Sequence, residues 1–178
     1  MEFDYKNLFQ PPLPTKIGEP RRWGRLYGSS TALAVAQAAR RHKGSVVVVT
    51  RDTTESLQLQ QALQVFMHCK EDVHLFPDWE SLPYDVCSPH QDIISQRLET
   101  LYKLPELTRG VVILPVETLM QRLTPRGYIE KNSLMLDVGE RLNIDVLRKK
   151  LEQAGYLCVP QVQDHGDFAV RGNLIDLY

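Results

Sequence analysis

Trp23-Gly24-Arg25-Leu26-Tyr27-Gly28-Ser29-Ser30-Thr31-Ala32 runs into an alanine-rich stretch ending at Arg41, then into Ser45-Val46-Val47-Val48-Val49-Thr50. An apolar entry, a Gly/Ser turn, a helix-forming run and a pure strand make the opening order of a phosphate-binding-loop domain. A working loop reads G-x-x-x-x-G-K-[ST]: backbone N–H groups wrap the phosphates, the Lys reaches the outer ones, and the hydroxyl binds magnesium. In that register Arg25 takes the first Gly, Ser30 the second, Thr31 the Lys and Ala32 the hydroxyl position. All four requirements fail. The pattern is that of a nucleotide-binding scaffold without the means to hold a nucleotide, which points to a binding module. The same residues also fit an ordinary helix start, with Ser29 or Ser30 accepting a bond from a free N–H.

The chain has 178 residues, 43% hydrophobic and 24% charged, with a formal net charge of −1. That composition suits a soluble globular protein of one domain or one and a half. Up to Arg126 there are 15 basic and 14 acidic side chains, and from Gly127 onward 6 and 8. Neither part is a basic patch, so direct nucleic-acid binding is disfavoured. Cys69, Cys87 and Cys158 are scattered, without C-x-x-C spacing, and read as reduced thiols. The start lacks a secretory signal, and the runs Val46–Val49 and Val111–Leu114 are too short to span a bilayer. A cytoplasmic location is expected.

Residues 1–20 hold four prolines and read as an extended arm. Residues 21–126 read as an α/β, RecA-like domain with a degenerate phosphate loop. Its first helix spans roughly 31–42 and is expected to close on Gly44 in a left-handed cap. Val46–Val49 reads as a strand covered on both faces. Asp52-Thr53-Thr54-Glu55 is a capping box opening a helix with Leu59, Ala62, Leu63 and Phe66 on one face. Val73–Phe76 and Val111–Leu114 are further strands. Between them a helix from His90 to Leu104 carries Ile94, Leu98, Leu101 and Tyr102 at helical spacing, and Val116–Leu123 makes a short helix. Strands alternating with helices predict a mainly parallel sheet with helices on both faces.

The pattern changes near Thr124–Gly127. Residues 127–178 read as the start of a small α+β domain: a strand at Ser133–Val138, a helix from Ile144 to Ala154 closed by Gly155, then extended pieces at Tyr156–Val162, Phe168–Val170 and Leu174–Tyr178. Because the last apolar strand reaches the final residue, the chain is expected to be the front piece of a longer protein.

Two constellations carry chemistry-bearing residues. Asp78, Glu80, Asp85, His90 and Asp92 cluster in sequence, but no pair has ligand or acid/base spacing, and a structural role is expected. Trp79 and Tyr84 read as packing anchors of that loop. His42, His68 and His74 are isolated. No magnesium-binding D-E-x-[HD] box occurs. In Gly166–Asn173, Arg171 precedes Gly172 on a short strand. Its planar guanidinium suits bidentate binding of a carboxylate, or else an internal salt bridge to Asp167 or Asp176.

Asp78–Asp85, Ser88–Arg97, Pro115–Arg122 and His165–Asp176 together closely resemble the N-terminal region of the bacterial transcription-repair coupling factor (Mfd) family, from about Trp23 to the last residue. That family in turn resembles the excision-repair helicase UvrB here. UvrB-like sequences keep an intact phosphate loop and tend to carry Arg where this chain has His165 and Ala169.

The resemblance implies a non-catalytic, UvrB-mimicking module that recruits UvrA to RNA polymerase stalled at DNA damage. It implies no cofactor in this region, with ATP and magnesium serving a translocase motor elsewhere in the family's chain. RNA polymerase and DNA would be engaged through other regions, and the UvrA-binding surface masked by the C-terminal domain of the same protein. Arg171 matches a UvrA-contacting arginine, with Gly172 and Phe168 beside it. The competing reading is a nucleotide-binding ATPase domain of a UvrB-like helicase.

Overall fold

A computed structural model describes residues 10–67, 73–81, 86, 88–134, 136 and 138–178. The readings at His68, Cys69, Tyr84, Asp85 and Cys87, and the first nine residues of the arm, lie outside the described residues. The chain divides into two compact units, one ending at Thr124 and the other running from Pro125 to Tyr178.

The first unit is built on a parallel three-stranded sheet in the order β1-β3-β2, with β1 at Val46–Thr50, β2 at Val73–Leu75 and β3 at Val111–Pro115. Helix α1, Ser30–Arg41, and helix α2, Thr53–Phe66, pack on one face. Small side chains make the close approach of α1 possible: Ala32, Ala34, Ala36 and Ala38 are all buried. Ala36, Leu63, Val111 and Ile113 belong to one apolar cluster, with Val46 and Val48 packed against it.

The capping box of α2 forms at the Asp52 side, while its reciprocal bond falls one residue earlier, on Arg51. Asp52 accepts from the Glu55 backbone N–H at 2.8 Å, while the Glu55 carboxylate accepts from the Arg51 N–H at 2.9 Å. The Glu55 N–H, and after it Arg51, hold the exposed Asp52 carboxyl below its usual pKa. Helix α1 ends differently from expectation. Its cap is His42 in an extended conformation, donating to the Ala38 carbonyl, and Gly44 does not take a positive φ.

The reading of β1 as doubly covered is also corrected, because Val47 and Val49 are 57% and 46% exposed. Strand β1 is an edge strand, and only its Val46/Val48 side faces α1 and α2. On the other face, Val47, Val112 and Leu114 join Leu101 of helix α3, Gln91–Lys103, its C-cap Leu104, and Leu119 of helix α4, Val116–Leu119, around an apolar groove of about 200 Å³.

The side chains that fix α3 are not the apolar ones its periodicity suggests. Leu98 is exposed, whereas Arg97 and Thr100 are buried. Arg97 donates to the Pro77 carbonyl and lies over the rings of Phe76 and Trp79, 4.3 and 4.1 Å from their centroids. Burial pulls its pKa down, and Asp78 opposes that shift. The described part of the arm is tied down as well: the Trp23 indole donates to the Pro12 carbonyl at 2.9 Å, and Arg41 donates to that of Pro11 at 2.8 Å.

In the second unit, helix α5 occupies Arg126–Asn132, where no element is expected from the sequence. Among the described residues of 133–138 no strand forms, contrary to the alternation read there. Helix α6, Ile144–Gln153, is capped by Asn143, which accepts from the Val146 N–H at 3.1 Å. It closes in a Schellman motif: Gly155 at φ +94° donates to Glu152, and Tyr156 donates to Leu151. Of Tyr156–Val162 only strand β4, Leu157–Cys158, joins the sheet.

Strand β4 runs parallel to β5, Asp167–Arg171, and β5 is antiparallel to β6, Leu174–Leu177. Phe168, fully buried, meets Leu147 and Leu151 of α6, with Val170 and Ile175 alongside. This core is small, and one aromatic side chain fills much of it. Phe168→Ala should destabilise the second unit by about 3–5 kcal/mol. In hydrogen exchange, β5 and β6 amides should then lose protection while those of β3 keep theirs. Unchanged protection in β5 and β6 would contradict this packing.

Candidate functional site

The degenerate loop does lie before a helix N-terminus, in a backbone form that suits glycine. Gly28 takes φ +55°, and Arg25, at the first-glycine position, takes φ +58° despite its side chain. Neither serine caps α1 as the sequence suggests. Ser29 is helical in φ and ψ and makes no side-chain cap bond, while the Ser30 hydroxyl donates backwards to the Tyr27 carbonyl at 2.8 Å.

A cleft of about 320 Å³ opens beside Gly28, Ser29 and Thr31 and is walled on the far side by Glu55 and Gln58 of α2. Among the described residues no lysine or arginine lines it, and a carboxylate does. Bare helix N–H groups favour an anion, but Glu55 opposes one, and the magnesium hydroxyl position is the buried methyl of Ala32. These residues do not fit a nucleoside triphosphate. Isothermal calorimetry with magnesium-ATP should therefore register no micromolar binding, and turnover should stay at the blank. Micromolar affinity or magnesium-dependent hydrolysis would contradict this reading of the cleft.

Of the acidic cluster, Asp78 and His90 hold backbone and side-chain groups in place. Asp78 accepts from the Gln121 side chain at 2.5 Å, from the Thr118 hydroxyl at 3.3 Å and from the Glu80 N–H at 3.2 Å. His90 is the N-cap of α3, its ring nitrogen accepting from the Asp92 N–H at 3.3 Å. The Asp92 carboxylate sits in the first turn of that helix, where a negative charge favours the helix N-terminus. Among the described residues no group of three or more His, Cys, Asp or Glu is arranged to hold a metal.

The β5–β6 hairpin carries the other candidate residues. Arg171 and Leu174 face each other across a two-residue turn in which Gly172 takes φ +60°. A glycine at the first turn position matches a type II′ hairpin, where another residue would be strained. Phe168 and Val170 point to the α6 core, so the alternating residues Ala169 and Arg171 lie on the opposite face, together with Asp176. Phe168, which the resemblance sets beside the contact arginine, is 0% exposed and packs in the α6 core. Arg171 and Gly172 remain on the surface.

Of the two carboxylates offered by the sequence, Asp176 is the partner of Arg171, Nη2 to Oδ2 at 2.9 Å, with the two side chains 59% and 38% exposed. Asp167 is occupied elsewhere, accepting from the Gln163 and Asp164 N–H groups. The sequence offered no signal to choose between them, because the choice depends on hairpin register. His165 stacks on Tyr178 with ring centroids 4.4 Å apart, joining the start of β5 to the end of β6.

Most of the second unit is similar to a known interaction domain: the family model described as "UvrB interaction domain" matches residues 134–178. The chain as a whole is 48% identical to the transcription-repair-coupling factor of Escherichia coli over 93% of its length, and 45% identical to that of Haemophilus influenzae over 96%. The Mycobacterium tuberculosis factor is 34% identical over 96%. The chain belongs to the transcription-repair-coupling factor family. It spans only about one seventh of these relatives, 14% of the Escherichia coli and 15% of the Haemophilus influenzae protein.

Proposed function

We propose that this region is a non-catalytic docking module which mimics UvrB and recruits UvrA to RNA polymerase stalled at DNA damage. The observation that carries the reading is Arg171: an exposed guanidinium on the β5–β6 hairpin, inside the stretch that matches the UvrB interaction domain. An acidic surface of UvrA supplies the complementary carboxylate. No cofactor takes part here. ATP and magnesium serve a motor in another region of the whole protein, through which RNA polymerase and DNA are also engaged. A C-terminal domain of that protein masks the hairpin until the motor is at work, and the assembly acts in the cytoplasm. The alternative, an ATPase domain of a UvrB-like helicase, is disfavoured by the Glu55-walled cleft and the lack of a phosphate lysine.

Breaking a charge pair that is desolvated on binding costs about 2–5 kcal/mol. Arg171→Ala should then weaken UvrA binding by well over tenfold in calorimetry, with the melting temperature nearly unchanged because the Asp176 pair is exposed. Arg171→Lys should not restore a bidentate contact. Unchanged affinity for Arg171→Ala would refute the assignment, and a large fall in melting temperature would make Arg171 a structural residue.

A further inference from the structure

We infer that Asp176 is a positioning residue for Arg171, holding the guanidinium in the orientation in which a partner carboxylate meets it. The inference rests on the reading of Arg171 as the docking contact and adds a second residue to that site.

The hairpin register sets up the pair. Asp176 stands opposite Ala169, two residue pairs farther from the turn than Arg171 and Leu174, so the two charged side chains are diagonal neighbours on one face. Ala169 is a methyl group at 1% exposure, and no bulk stands between them. Asp167, the other carboxylate on this strand, is turned to the 163–164 backbone and does not compete.

The contact is single-pointed. Nη2 of Arg171 donates to Oδ2 of Asp176 at 2.9 Å, and this is the one hydrogen bond of the guanidinium among the described residues. An arginine fork has five N–H donors, two of them on Nη2, so a single bond from Nη2 leaves one of its two bidentate edges available for a partner. A long side chain already held in one orientation loses less freedom on docking than a free one. Exposed pairs of this kind contribute little to folding, which separates positioning from stability.

The test is UvrA affinity for the wild type, Asp176→Ala, Asp176→Asn, Arg171→Ala and the Arg171→Ala/Asp176→Ala double variant. It is paired with NMR relaxation of the Arg171 Nε–Hε group in the chain without UvrA. Asp176→Ala should weaken binding by about three- to tenfold, the range expected from freeing one rotamer-rich side chain. Asp176→Asn should come within about twofold of the wild type, since its amide oxygen accepts the same bond. In the Arg171→Ala background, loss of Asp176 should change nothing further.

Equal or tighter binding by Asp176→Ala would overturn the inference, because Asp176 would then be neutral or a competitor for Arg171. An equal loss in the Arg171→Ala background would also overturn it, since Asp176 would be acting without Arg171. Should Arg171→Ala itself bind normally, the docking reading fails. The NMR arm still decides the pair: Nε–Hε order lost in Asp176→Ala supports positioning, and unchanged order contradicts it.

Discussion

Every residue of β3 from Val111 to Pro115 is buried, and a parallel strand with no wet side requires neighbours that arrive by crossover rather than by hairpin. Strands β1 and β2 flank it on either side, both parallel to it and both in register with Val111. The requirement that α1 and α2 cover one face accounts for the alanines of α1, since larger side chains would hold the helix away from the sheet. It also places the N-terminus of α1 and the cleft beside it, where a nucleotide fold keeps its ligand. What has changed is the chemistry at that address. The backbone still turns through positive φ at Arg25 and Gly28, but the side chains no longer serve phosphate.

The second unit follows a different logic, in which one buried ring sets the surface. Phe168 locks β5 onto α6, and the strict alternation of a strand then places Ala169 and Arg171 on the outer face. Gly172 closes the turn without strain, and the His165–Tyr178 stack joins the other end of the hairpin. The guanidinium therefore stands on a well-defined support although its own ion pair is exposed. The two units differ in what they expose: the first has a cleft walled by Glu55, the second presents the Arg171 guanidinium.

Much of this was legible because it rests on local patterns. The capping box at Asp52, the Asn143 cap, the Gly155 stop and the β5–β6 pair all follow from short-range backbone chemistry. Helix α5 was not legible, because Pro125-Arg126-Gly127 reads as a turn and seven residues are too few to show a helical period. The exposure of Val47 and Val49 was missed for another reason: a run of valines looks the same in a central strand and in an edge strand. Arg97 shows the same limit from the polar side. Its sequence position suggests a solvated helix face, whereas Phe76, Trp79 and the Pro77 carbonyl give it a buried seat. Phe168 stands beside Arg171 in the sequence, and only the sheet pleat separates its buried ring from the exposed guanidinium.

The account separates a docking hairpin from a silent nucleotide cleft, and site-specific photo-crosslinking to UvrA tests that separation directly. A crosslinking side chain at the exposed turn residue Asn173 should trap UvrA, and the same group at Gln58 on the wall of the cleft should not. Trapping at Gln58 without trapping at Asn173 would contradict the account and move the partner surface to the first unit.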